Sequence, residues 1–135
     1  MLRDFKIGIS QMTEAISSYP WQDPEAYALY LSQTYYYVLH STRLLALSAA
    51  HMKVSDNTFH RRFLEHASEE KGHDLMALKD LEVLGFRLED FPELPHTRMF
   101  WETQYYKIEH NDPLSLLGYV IALEALASEH GFSLK

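Results

Sequence analysis

His66-Ala67-Ser68-Glu69-Glu70-Lys71-Gly72-His73-Asp74 is the stretch on which the reading of this chain turns. Followed outward in steps of three and four it becomes Phe59, Phe63, His66, Glu70, His73, Ala77, Leu81 and Leu84. That spacing is one face of a helix. Apolar residues hold both ends of the stripe, and three ligand-type side chains occupy its middle. A carboxylate on a buried face is costly unless it is paired or binds a cation. The stripe therefore predicts a helix from about Thr58 to Leu84, capped by Asp56 or Asn57 and stopped at Gly85.

The segments on either side read as helices too. Asp23-Pro24-Glu25 is a start signal: an N-cap Asp, Pro at the first position and an acid in the first turn. From there a helical pattern without Gly or Pro runs to about Met52, with Ala26, Tyr30, Gln33, Tyr37, His40, Leu44, Leu47 and His51 as its inner stripe. Phe5, Ile9, Met12 and Ile16 mark a short amphipathic first helix ending near Ser17. Beyond the Pro92-Glu93-Leu94-Pro95 loop, a fourth helix spans about His96 to Glu109. Asn111-Asp112-Pro113 opens a fifth. The fifth is apolar on nearly every side (Leu114, Leu116, Leu117, Val120, Ile121, Leu123, Leu126), so it is expected to be buried all round. No strand alternation of useful length is present. The predicted class is all-α, one domain over residues 1–135 with about five helices.

Composition removes several function classes. Twelve Lys and Arg against nineteen Asp and Glu give a net charge of −7, and no basic cluster exists to displace counterions from a phosphate backbone. No nucleic-acid partner is expected. The absence of cysteine excludes disulfides, thiolate metal sites and cysteine nucleophiles. No run of eighteen apolar residues occurs and the first residues lack a signal-peptide core, so a cytoplasmic protein without a membrane partner is expected. Eight His and nine Tyr are excesses that call for a site.

Imidazole and carboxylate together suit iron, manganese or zinc, and a Glu-x-x-His pair on a bundle helix is used in di-iron and di-manganese sites. Glu124 is the only charged residue between Leu114 and Ala127, and a metal shared with Glu70 and His73 would give it a partner. His66, Glu70, His73 and Glu124 are thus the candidate metal ligands. Tyr37 and His40 are candidates for lining a pocket. A structural polar network and an organic-ligand pocket are the two other ways such residues could be satisfied.

The segment His66 to Asp74, followed by Leu78-Lys79-Asp80-Leu81-Glu82-Val83-Leu84-Gly85, resembles the central-helix signature of heme-oxygenase-like proteins. It looks most like their iron-containing redox branch, the di-metal oxidases and oxygenases. Pro113 to Glu124 is similar to the helix in which that family carries a metal-binding Glu. The resemblance covers about residues 20–130. It implies a heme-oxygenase-like helical bundle and an iron centre, with di-iron or manganese as variants of it, and His73 and Glu124 as ligands. His66 stands where the family often has Glu. The family's last ligands, a His-x-x-x-Asp-x-x-His pattern, lie on a helix beyond Lys135, so the resemblance implies a truncated form or a site completed by a homodimer.

The function implied is a non-heme iron oxidoreductase acting on a small organic substrate, intact or degenerate. Three alternatives stand beside it. One is a metal-free ligand-binding or cofactor-biosynthesis protein of the same fold. Another is a heme-binding protein with His40 as proximal ligand. The last is a non-catalytic helical dimerisation module.

Overall fold

The computed structural model describes residues 2–130, and every regular element among them is helical. The α-helices are α1 (Leu2–Ser17), α2 (Pro24–Val38), α3 (Ser41–His51), α4 (Asn57–Glu69), α5 (His73–Val83), α6 (Pro95–His110) and α7 (Leu116–His130). Three single 3-10 turns, Val54–Asp56, Leu88–Asp90 and Pro113–Ser115, stand in the connections. Two of the five expected helices are therefore each divided in two. None of the helices is long and apolar enough to cross a membrane.

The described chain forms two compact units. The larger, Trp21–Leu116, holds α2 to α6. Within it α3 packs mainly on α4, α2 mainly on α5, and α6 lies against both α2 and α3. Asp23 starts α2 as the sequence predicts: its carboxylate accepts the Glu25 amide at 3.0 Å, and Pro24 takes the position whose N–H would be orphaned. Gly85, at φ 83°, ends the α5 segment.

The inner face of the α2–α3 segment is rotated from the expected one. Ala28, Leu31, Ser32, Leu44, Leu45, Ser48 and Ala49 are buried, whereas Tyr30 and His51 are exposed. Small residues are among those fully buried, and the two serine hydroxyls both find backbone acceptors. Ser32 Oγ donates to the Leu29 carbonyl at 2.8 Å and Ser48 Oγ to that of Pro113 at 2.7 Å. Tyr30 instead leaves the interior to meet Trp21 edge-to-face. Phe63 and Leu81 fill the centre from the other side, and removing either ring or chain would cost about 3–5 kcal/mol. Phe59, at the start of the predicted stripe, is exposed.

Both helix divisions have a backbone signature. At the first, the His40 amide bonds the Tyr37 carbonyl, three residues back, before the four-residue ladder resumes at Leu44. At the second, Gly72 adopts φ 90°, a left-handed conformation that stops α4, and α5 restarts at His73. Because α2–α3 and α5–α4 run antiparallel, with His60 Nδ1 on the Ala49 carbonyl setting their register, the two breaks lie at the same level of the unit.

The second unit comprises residues 2–20 and 117–130 of those described. In α1, Ile9 is buried and Phe5 and Met12 are exposed. The expectation that the last helix is buried on every side is corrected. In α7, Gly118, Ile121, Glu124 and Ala127 form an exposed face at helical spacing, and Leu126 is buried. Glu124 is carried on the exposed side of this helix.

Candidate functional site

The break between α4 and α5 assembles the first cluster. Glu70 is the last residue of the α4 turn and His73 the first of α5, and the His73 amide donates to the Glu70 carbonyl at 3.2 Å. That tight turn keeps the side chains together although the helix is not continuous. Glu70 Oε2 stands 3.3 Å from His73 Nδ1, and Oε1 stands 3.7 Å from His66 Nε2. The carboxylate is bracketed, one imidazole to each oxygen. His66 is the most enclosed of the three side chains at 15% exposure, Glu70 follows at 24%, and His73 is half open at 49%. The buried face expected from the sequence thus opens toward solvent at its His73 end.

The donor types suit a borderline divalent cation: one anionic oxygen ligand between two neutral nitrogens. The arrangement is less complete. Each carboxylate oxygen addresses a different ring, and among the described residues no group of three or more His, Asp and Glu side chains is placed to hold one ion. The cluster therefore fits a metal by chemistry and supplies only part of a coordination sphere. Glu124 belongs to the other compact unit, where it sits on the exposed face of α7.

A second cluster forms where α3 begins. His40 lies flat on the Trp101 indole, with centroids 3.7 Å apart and planes 11° from parallel, and its Nδ1 is 3.0 Å from the Tyr105 hydroxyl. Burial pushes the His40 imidazole below its ordinary pKa, aided by the Arg43 cation and opposed by Glu93 and Glu102. Burial also raises the Tyr105 phenol. The contact holds one proton between a phenol and an imidazole: the phenol donates to a bare Nδ1, or an Nδ1–H donates to the phenol oxygen. Trp101 Nε1 donates to Glu93 Oε1 at 2.7 Å, and the other oxygen of Glu93 takes Arg98 Nε and Nη2 at 2.9 and 2.8 Å. Tyr37 meets Phe100 edge-to-face at 5.5 Å, and burial pushes its phenol up to about 12.

Sequence reasoning placed Tyr37 and His40 in this region and missed Trp101, Tyr105 and Glu93. The available signal was the four-residue spacing of Trp101 and Tyr105, an aromatic pair on one face of a helix that also carries buried Gln104 and Ile108. Gln33 was read only as part of a stripe. It is the clamp of the loop before α6: its Oε1 accepts from the Leu94 amide and the Thr97 hydroxyl at 2.9 and 2.7 Å, and its Nε2 donates to the Pro92 carbonyl at 3.2 Å.

The chain matches no protein-family model and no curated protein. It is similar to a solved structure from Shewanella denitrificans, a domain of unknown function with a heme oxygenase-like fold. The TM-score is 0.68 at 24% sequence identity, over 95% of this chain and 65% of that one. The chain thus spans about 65% of the length of the structure it matches, and its own fold is heme oxygenase-like.

Proposed function

From a heme oxygenase-like fold, we propose that this protein is a metal-dependent oxidoreductase acting on a small organic substrate, with His66, Glu70 and His73 as its metal-binding side chains. The observation that carries the reading is the Glu70 carboxylate set between two imidazole nitrogens at 3.3 and 3.7 Å on a half-buried helix break. Glu70 would offset part of the charge of a divalent ion. His66 would hold the ion from the enclosed side, and His73 from the open side. A bound iron or manganese would supply redox capacity and orient the substrate. The three side chains leave positions free, which water, substrate or further donors would fill. Anaerobic calorimetric titration with Fe(II), Mn(II) and Zn(II) tests it: one of the three should bind stoichiometrically, and Glu70→Gln or His73→Ala should abolish binding. Equal weak uptake of all three ions by the wild type and both variants would overturn the reading.

A second reading is favoured by a separate observation, the absence of three converging donors among the described residues. Here the protein binds a planar organic ligand without metal, using the aromatic surface around His40 and Tyr37, and the His66–Glu70–His73 cluster only staples the helix break. Trp101 fluorescence would then respond to ligand in metal-free protein, and Glu70→Gln would leave that response unchanged.

A further inference from the structure

Two oxidisable side chains of α6 share a property: each has its one N–H or O–H group in hydrogen-bond contact with a base. The Trp101 indole N–H is 2.7 Å from Glu93 Oε1, and the Tyr105 hydroxyl is 3.0 Å from His40 Nδ1. The rings are neighbours, with centroids 5.9 Å apart at 87°, and His40 lies on the indole face. Oxidation of an indole or a phenol makes its hydrogen strongly acidic, so the barrier falls when an acceptor is already in hydrogen-bond contact. Arg98 fixes Glu93 from its other oxygen, which keeps the carboxylate aimed at the indole. All four residues are half-buried, a setting that limits quenching by solvent.

We propose that Trp101 and Tyr105 form a redox-active pair in which an oxidising equivalent passes from the indole to the phenol, with Glu93 and His40 as proton acceptors. A one-electron oxidant of the metal-centred class removes an electron from Trp101, and the Nε1 proton moves to Glu93. Tyr105 then gives an electron to the neutral indolyl radical while its hydroxyl proton moves to His40 Nδ1, and Glu93 returns its proton to Nε1. The balance is a reduced oxidant, a Tyr105 phenoxyl radical and a His40 imidazolium, with Trp101 and Glu93 restored. The imidazolium so formed rests on the face of the indole, where a cation is favoured. The inference draws on the oxidoreductase reading only for the natural source of the oxidant.

The test supplies its own oxidant, so its failure and that of the metal-binding reading are separate results. The metal-free protein is mixed with ruthenium tris-bipyridine and persulfate, flashed, frozen and examined by electron paramagnetic resonance. A neutral tyrosine radical is expected that is lost in Tyr105→Phe and kept in Tyr106→Phe, a control at the next residue. Trp101→Phe and His40→Gln should each lose most of the signal. Titration of the wild type gives an arm free of substitutions. The groups acting on His40 are Arg43 of α3, Glu102 of α6 and Glu93 before it. As pH falls through the His40 transition, below 6.5, the imidazole is already protonated and the radical yield should fall. A signal that survives Tyr105→Phe, or a yield that is flat across that transition, would overturn the proposal.

Discussion

Glu70 caps the end of α4 and His73 begins α5, yet their side chains stand 3.3 Å apart, because Gly72 turns the chain between them at φ 90°. A Cβ at Gly72 would meet no atom within 4 Å, so only backbone strain opposes a side chain there. Gly72→Ala should lower stability by about 1–2 kcal/mol, the cost of holding an L-residue in the left-handed region. Urea unfolding measures it. A stabilised variant would mean that α4 and α5 prefer to fuse and that the break is held open only by this glycine.

Without metal, the paired carboxylate contributes little. Both contacts reach a side chain that is itself partly hydrated, His73 being 49% exposed, so Glu70→Gln should change metal-free stability by less than about 1 kcal/mol. With metal the outcome differs. An ion that binds the folded chain at 100 times its dissociation constant raises stability by about 2.7 kcal/mol, and Glu70→Gln should erase that gain. Thermal melts with and without Fe(II), Mn(II) or Zn(II) compare the two. An equal rise in wild type and variant would place the ion elsewhere.

Much of this was legible in the chain, and what was not has a common cause. Asp23-Pro24, Gly85 and the Phe63–Leu81 stripe act through local backbone preference and helical spacing, so the all-α class and the meeting of His66, Glu70 and His73 could be read directly. The division at His40 could not. No Gly or Pro marks it, and the imidazole is engaged there by Trp101 and Tyr105, the latter 65 residues away in sequence. The exposed face of α7 was hidden for another reason: composition shows that a helix is apolar but not which side turns outward, and Gly118, Ile121, Glu124 and Ala127 do.

Gln33 gives a prediction that no surface contact would. One amide satisfies three groups of the segment that leads into α6: the Leu94 amide, the Thr97 hydroxyl and the Pro92 carbonyl. Gln33→Ala should cost about 1–3 kcal/mol, since each net hydrogen bond is worth about 1 kcal/mol and part of the segment stays hydrated. Hydrogen exchange gives the sharper check, because protection at the Leu94 amide should collapse while the α3–α4 amides keep theirs. If Leu94 stays protected, the loop is held by packing instead.

Alkaline pH should expose the burial of Tyr37. Its phenol ionises at about 12 in the folded chain and at 10.0 when free, mainly because burial penalises the phenolate. The unfolded chain therefore releases this proton first as pH rises. The Tyr37 contribution is intact below pH 10.0 and is lost progressively up to about 12. A shift of that size corresponds to at most about 2–3 kcal/mol. Tyr36 and Tyr105 are also raised, so the whole-protein profile does not isolate the effect. The difference between wild type and Tyr37→Phe does. Unfolding free energies for the two should run parallel below pH 10.0 and converge or cross above it, as the wild type alone pays for keeping Tyr37 protonated. Parallel curves throughout would show that water reaches the Tyr37 hydroxyl in solution.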